Sequence, residues 1–471
     1  MSSLAALSGE RTIDRREAVS IDPATGNELA RYPFSDPAEQ EIILAAAWNG
    51  FRAWRAVSVT DRMAVFRRMA ITLRETTDRL ARLITLEMGK PIAQARAEVG
   101  KCADLCEWYA THAPALLAEE QVDVGTDGEA SIAHLPLGPI LAVMPWNFPL
   151  WQVLRAAVPI LAAGNGFVLK HADNVQGNAL ALAVAFRIAG LPEGAFSVLN
   201  VDRDDLPRII ADPRIAAVTV TAGVAAGAAV ASEAGRHLKK SVLELGGTDP
   251  CIILADADLD RAVPAAVQAR FQNSGQVCIA GKRLIVEASI AEEFIRRFVV
   301  AAAALRVGDP FDEATDLGPL ARHRLRTELQ AQVEASLAKG ARLLLGGAVP
   351  EGAGSYYPAT VLADVTPDMP VFREETFGPV AAITVATDAE HAVRLANDSD
   401  YGLSGALWCG DPARGARIAR RIETGGVFVN GVAMSDPRVP IGGIRRSGYG
   451  RELSYFGLRE FCNTQLVWVR G

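Results

Sequence analysis

Between residues 140 and 243 the chain alternates short apolar runs with segments of helical period, and this alternation restricts its folding more than any other feature. Residues 140–144, ILAVM, read as a buried strand, residues 151–163 as a helix, 167–169 as a strand and 176–188 as a helix. Strands at 196–199, 216–220 and 241–243 follow, with helical stretches at 205–210 and 225–234 between them. Short runs rich in Val and Ile, separated by helices, indicate a parallel sheet covered on both faces. A second block repeats the pattern, with strands expected at 251–254, 284–286, 343–345, 381–385, 405–408 and 426–429. Its most regular helices fall at 290–305 and 324–339. Residues 121–137 differ: VDV, a polar Gly-containing GTDGEA and SIAHL read as a hairpin, and the chain closes on a further strand, TQLVWV. A hairpin and a terminal strand outside both α/β units have edges that need a partner, so oligomerisation through them is expected.

The 471 residues, half of them apolar, suffice for two or three cores. Net charge is −7 with both signs mixed along the chain. No Lys/Arg block tracks a phosphate backbone, so nucleic acid is not an expected partner. The first residues lack the basic region, long apolar core and cleavage site of a secretory signal. No apolar run approaches the ~18 residues of a membrane span. A cytoplasmic protein with no membrane partner is expected. The six cysteines (102, 106, 251, 278, 409 and 462) are scattered and show no CxxC, so no disulfide framework is expected. Cys102 and Cys106 could share a helix face, but no second ligand pair lies near them and the histidines lack ligand spacing, so no metal is expected.

Three residues stand out chemically. A lone cysteine is more often a small buried hydrophobe than a nucleophile. Cys278, however, follows Asn273-Ser274-Gly275-Gln276, a small and polar stretch whose glycine lets backbone approach a ligand. As a thiolate it attacks carbonyl carbon. Glu244, in Leu-Glu-Leu-Gly-Gly, ends an apolar strand, where a carboxylate is costly unless paired or engaged in chemistry. A general base for water is the role that fits it. Asn147, within Pro-Trp-Asn-Phe-Pro, sits in a rigid loop after a strand, either as a helix cap or as an amide donor to an oxyanion.

The motifs PWNFP, VLK, LELGG, GQVC, EETFGPV and GGIRRSGYGRE, in this order, resemble those of the aldehyde dehydrogenase superfamily from about Ile21 to the C-terminus. The resemblance implies an α/β fold of two parallel-sheet domains plus a small β oligomerisation element. Residues 1–118 and 140–243 would form the cofactor-binding domain, 244–438 the catalytic domain, and 119–139 with 439–471 the oligomerisation hairpin and strand. The implied reaction is oxidation of an aldehyde to an acid through a thioester on Cys278. Asn147 and the Cys278 amide would hold the oxyanion, and Glu244 would activate water.

The resemblance also implies a nicotinamide cofactor. Lys170 would meet the adenosine ribose and Asp173 its hydroxyls; an anion there repels a 2′-phosphate, which favours NAD over NADP, with NADP possible. Gly223 and Gly227 would carry the pyrophosphate on backbone amides, because the serine usual in the family is replaced in Ala222-Gly223. Glu375 and Phe377 would hold the nicotinamide ribose and ring, with Trp146 and Leu245 completing the set. His171 stands where proline is commoner.

Within the superfamily the stretches PWNFPLWQVLR, VLKHADN and FCNTQLVW look most like succinate-semialdehyde dehydrogenases. Arg155 and Ser435 would then bind the substrate carboxylate, with Trp151 walling the pocket, or Arg155 would form an interdomain salt bridge instead. Gln272 replaces the second arginine of some such enzymes, so glutarate semialdehyde or a neutral aldehyde stays open as the substrate. A coenzyme A-acylating reaction is disfavoured, because a base at Glu244 would hydrolyse the thioester that reaction must spare. A homodimer or homotetramer is expected.

Overall fold

The computed structural model describes residues 17–470; the segment read for a secretory signal and the first sixteen residues of the expected cofactor domain fall outside the described residues. Pro139–Met144 lies at the centre of the first sheet. It pairs in parallel with Gly166–His171 on one side and Ala217–Thr221 on the other, and these pair in turn with Phe196–Val198 and Lys240–Glu244. Ile140, Leu141, Ala142, Phe167, Val168 and Leu169 have no exposed surface, as strands covered on both faces require. The chain reverses its winding direction between Pro139–Met144 and Ala217–Thr221. In an open α/β sheet, loops at the carboxyl ends part at such a point and leave a crevice for a ligand. Met144, His171, Thr221 and Glu244 end the strands there.

Every residue of the helix Trp151–Ala162 is buried, which suits a helix that is apolar nearly all round and enclosed between layers. The long helix Ile92–Leu116 packs against it. Glu98 of the long helix accepts the backbone N–H groups of Leu150 and Trp151, each at 2.9 Å, and so caps the enclosed helix from outside its own sequence. Glu98 is itself paired with buried Lys90.

The second sheet has the order Arg342–Leu345, Thr360–Ala363, Val380–Ala386, Arg283–Glu287, Pro250–Ile253, Gly405–Trp408, Val427–Val429. All its pairs are parallel except the first, which is antiparallel at the edge. A separate three-stranded sheet holds Glu120–Val122, Glu129–Pro136 and Cys462–Val469. The expected hairpin and terminal strand thus find each other, and the outer strand leaves Leu466, Val467, Trp468 and Val469 exposed.

Gly448–Tyr449 closes the first sheet by pairing antiparallel with Leu243 and Glu244. Gly448 has φ +104°, and a Cβ there would stand 2.0 Å from the Leu243 carbonyl oxygen. Only glycine lets the chain run this close beside the strand that carries Glu244. Gly448→Ala is therefore expected to cost roughly 1–3 kcal/mol, read as a lower urea midpoint, with turnover falling as the Glu244 strand loses its neighbour.

Candidate active site

Cys278 is placed by a loop that the protein holds from several sides. The helix Leu259–Phe271 ends just before it, and Asn273 and Ser274 then take left-handed backbone, both with φ 53°. Gly275 follows at φ +73°, and a Cβ there would lie 2.2 Å from the Gly378 carbonyl oxygen. The close approach expected of this glycine is thus to protein backbone rather than to a ligand. The buried Arg270 guanidinium donates to the carbonyls of Val380, Thr376, Gly378 and Gly275 at 2.5–3.4 Å. Lys282 Nζ donates to the carbonyls of Val277 (2.9 Å) and Cys278 (2.5 Å). Unfavourable backbone angles persist where surrounding structure over-determines them. Burial pushes the Cys278 thiol up to about 11, against the pull of Arg155 and Lys282. The resting group is a thiol, and its proton must be taken before it attacks.

Glu244 ends its strand with 2% of its surface exposed. Burial lifts its carboxyl to about 8, opposed first by Arg155. Its Oε2 lies 3.6 Å from Arg155 Nη2, and Oε1 is buried without a hydrogen-bond partner among the described residues. A buried carboxyl with one free oxygen and an affinity for protons near neutrality is suited to take a proton from a thiol or a water. The segment after it touches the nucleophile loop: a Cβ on Gly247 would stand 3.3 Å from the Cys278 carbonyl oxygen.

Asn147 is also buried, and its Nδ2 donates to the Gln276 carbonyl at 3.0 Å. Asn273 Nδ2 returns a hydrogen bond to the Asn147 carbonyl at 2.8 Å. The two loops are therefore tied together, with one Asn147 amide hydrogen used and the second still to donate. His171 braces the same loop from below. Its ring nitrogens lie 3.0 Å from the Pro149 carbonyl and 3.3 Å from that of Met144, and burial holds the ring neutral, down to about 4.

Cys278 opens onto a cavity of about 570 Å³. Trp151, Arg155, Gln272 and Ser435 line it with Cys278, so four expected or weighed substrate residues from distant parts of the chain converge there. Arg155 requires a correction. Expected to face a substrate carboxylate, its guanidinium is instead ion-paired through Nε with buried Glu452 and lies beside Glu244. Its charge is met by two buried carboxylates, while Nη2 is buried without a hydrogen-bond partner among the described residues. Glu452 closes the GGIRRSGYGRE run, but nothing there marks Arg155 as its partner; Lys282 carries no local sequence signal, and neither does Lys101, which lines the cavity from the helix Ile92–Leu116.

The expected cofactor residues gather at the carboxyl ends of the first sheet. Gly223 starts the helix Val224–Arg236 and gives it no side-chain cap, so its first amides are available to a phosphate. Nothing lies within 4 Å of a Cβ built on Gly223, whereas Gly227, one turn on, packs directly under the Leu245 side chain. Thr221 Oγ1, at the strand end, is buried without a hydrogen-bond partner among the described residues. Lys170 Nζ and Asp173 are ion-paired at 2.7 Å. Glu375 accepts the Gly247 N–H at 3.1 Å and lies 3.6 Å from Lys282 Nζ. Trp146 meets Phe377 edge-on, with ring centroids 5.6 Å apart. Uncapped amides, an unpartnered hydroxyl and a carboxylate beside the nucleophile loop fit a dinucleotide with its nicotinamide end toward Cys278. No group of three or more His, Cys, Asp or Glu among the described residues is arranged to hold a metal ion.

Residues 11–467 match the "Aldehyde dehydrogenase family". Succinate semialdehyde dehydrogenase [NAD(P)+] Sad of Escherichia coli (strain K12) is 57% identical over 451 residues, covering 96% of this chain and 97% of that protein. A probable succinate-semialdehyde dehydrogenase [NADP(+)] of Synechocystis is 48% identical, covering 96% and 99%. The crystal structure of succinic semialdehyde dehydrogenase from Streptococcus pyogenes in complex with NADP+ superposes with a TM-score of 0.94 at 35% identity, covering 96% of this chain and 100% of that one.

Because Arg155 lowers the proton affinity of Glu244, removing its charge must raise it. Turnover that needs the Glu244 base is expected to rise with pH through about 8 in the native protein. In Arg155→Met the rise should move to higher pH, with kcat reduced for acidic and neutral aldehydes alike. An Arg155 that served the substrate carboxylate would instead raise KM for the acidic aldehyde alone.

Proposed function

The chain belongs to the aldehyde dehydrogenase family, and on that premise we propose that it oxidises succinate semialdehyde to succinate with NAD(P)+ through a thioester on Cys278. The observation that carries this reading is the convergence of Cys278 with the Glu244–Arg155 pair beside a cavity that also holds Ser435 and Lys101. The relatives named for the same substrate support it.

Glu244, near 8, takes the proton that burial holds on Cys278, and the thiolate sulfur bonds to the aldehyde carbon. The second Asn147 amide hydrogen and the Cys278 backbone N–H receive the oxygen as its charge develops. A bound nicotinamide supplies the acceptor for hydride from that carbon. Lys170, Asp173 and Gly223 would hold its adenosine and pyrophosphate; Gly227, expected there too, has its amide bonded to the Gly223 carbonyl at 3.0 Å and packs under Leu245 instead. Glu375, Phe377, Trp146 and Leu245 would hold the nicotinamide end. With the thioester on Cys278, Glu244 first releases the thiol proton to solvent and then takes a proton from water; the hydroxide adds to the acyl carbon, and the carbon–sulfur bond breaks to release the acid as Glu244 returns its proton to the Cys278 sulfur. A base so close to the acyl group disfavours transfer to coenzyme A.

NAD is the preferred cofactor in this reading, because Asp173 places an anion beside Lys170 where a 2′-phosphate would come, while Lys170 leaves NADP acceptable. The first sheet is the cofactor domain, the second the catalytic domain, and the three-stranded sheet the assembly element of a cytoplasmic homodimer or homotetramer. No helix among the described residues is long and apolar enough to cross a membrane. Leu466 and Trp468 carry apolar surface on the outer strand of the three-stranded sheet.

The direct test follows absorbance at 340 nm, with succinate semialdehyde or butanal and either dinucleotide. Preference for the acidic aldehyde is expected, and preference for butanal would overturn the substrate. Asp173→Ser should raise the NADP+ to NAD+ ratio of kcat/KM by about tenfold, the size of a lost like-charge contact. Leu466→Asp with Trp468→Asp should sediment as a smaller species than the native protein.

A further inference from the structure

Three cations line the cavity beyond Cys278, and two are already matched: Arg155 by Glu452 and Glu244, Arg438 by Asp436 at 2.7 Å. The carboxylates of the lining helix are engaged as well, Glu98 by Lys90 and Asp104 by Arg74 at 2.9 Å. Lys101 makes no ion pair among the described residues. Its Nζ donates to Ser435 Oγ at 2.9 Å and sits 4.0 Å from the centre of the Trp151 ring. An ammonium has three N–H donors, so one bond to a hydroxyl and one ring face leave capacity for an acceptor. A charge in a half-buried site without a counter-ion is costly, and a ligand carboxylate supplies that counter-ion.

We propose that Lys101, with the Ser435 hydroxyl beside it, binds the terminal carboxylate of the substrate and sets the preference for carboxylated over neutral aldehydes. This rests on the substrate reading above and moves the charge recognition from Arg155 to Lys101. Position supports it: residues 94, 98, 101, 105 and 108 recur at helical spacing and all line the cavity, so one face of Ile92–Leu116 forms its wall. Lys101 lies midway along that wall, and Ser435 is held on it from the C-terminal loop. The groups facing Lys101 are Glu98 and Cys102 on its own helix, Arg155 on Trp151–Ala162 and Asp436 beside Ser435. Burial first, and Arg155 after it, bring the ammonium down to about 8, so its charge is lost at moderately alkaline pH.

The experiment compares kcat/KM for succinate semialdehyde and butanal in the native protein and in Lys101→Met. Native discrimination for the acidic aldehyde is expected to fall about 10- to 100-fold in Lys101→Met through KM, the size of a charge-assisted hydrogen bond. Thermal unfolding of the variant checks that it is folded. The unmutated protein gives a second readout. The ratio of the two kcat/KM values cancels the shared titration of Glu244 and Cys278, and it should fall by about tenfold from pH 7 to pH 9.5 as Lys101 deprotonates. Native discrimination that survives both the substitution and the pH rise overturns the Lys101 assignment while leaving the substrate reading intact. A native protein that does not prefer the acidic aldehyde overturns both.

Discussion

The active centre depends on a carboxylate buried at the end of a parallel strand. Glu244 is isolated from water, and burying a lone charge there would be prohibitive. Arg155 makes it tolerable: the guanidinium sits between Glu244 and Glu452, carboxylates from segments remote in sequence, while the charge of Glu452 works with burial against it. The opposing effects of burial and of Arg155 leave Glu244 near 8, within reach of both protonation states. A stronger pairing would fix it as a carboxylate too weak to remove a thiol proton. No pairing would hold it neutral and unable to activate water.

Around that centre the fold supplies rigidity. Strands that are largely apolar on both faces leave few polar side chains within the sheet, so the chemistry gathers at their carboxyl ends and in the loops beyond. Those loops are stiffened by buried polar groups that take no direct part in the reaction. Arg270 and Lys282 collect backbone carbonyls around Cys278, Asn273 ties its loop to Asn147, and Glu98 caps the helix that begins at Trp151. In the proposed reaction a thiol held this way stays beside Asn147 and its own backbone amide, and positioning of that kind carries a large share of catalysis.

The parallel strands were legible in the sequence because burial on both faces leaves continuous apolar runs, and residues 140–144 fall inside the observed Pro139–Met144. The hairpin and terminal strand were legible from their alternation and polar turn. Cys278, Glu244 and Asn147 could be singled out because their neighbours are unusual for a thiol, a carboxylate and an amide. Long-range pairing was not legible. Arg155 meets a partner 297 residues away, so nothing near it marks the guanidinium as already matched. Lys101 lay hidden for a different reason: a lysine on a helix rich in charge reads as solvated, and only the packing of Ile92–Leu116 against the cavity turns that face inward. Gly448–Tyr449 is a two-residue strand, too short for any periodicity, yet it borders Glu244.

The central claim is that one thiol carries the acyl group and one carboxylate releases it. Intact-protein and peptide mass spectrometry of Glu244→Gln, mixed with succinate semialdehyde and NAD+ at a pH where Cys278 partly ionises, addresses that claim most directly. A succinyl group trapped on the Cys278 peptide, with about one equivalent of NADH formed per site, is the predicted result. NADH formed in repeated turnovers with no acyl group on Cys278 would contradict it.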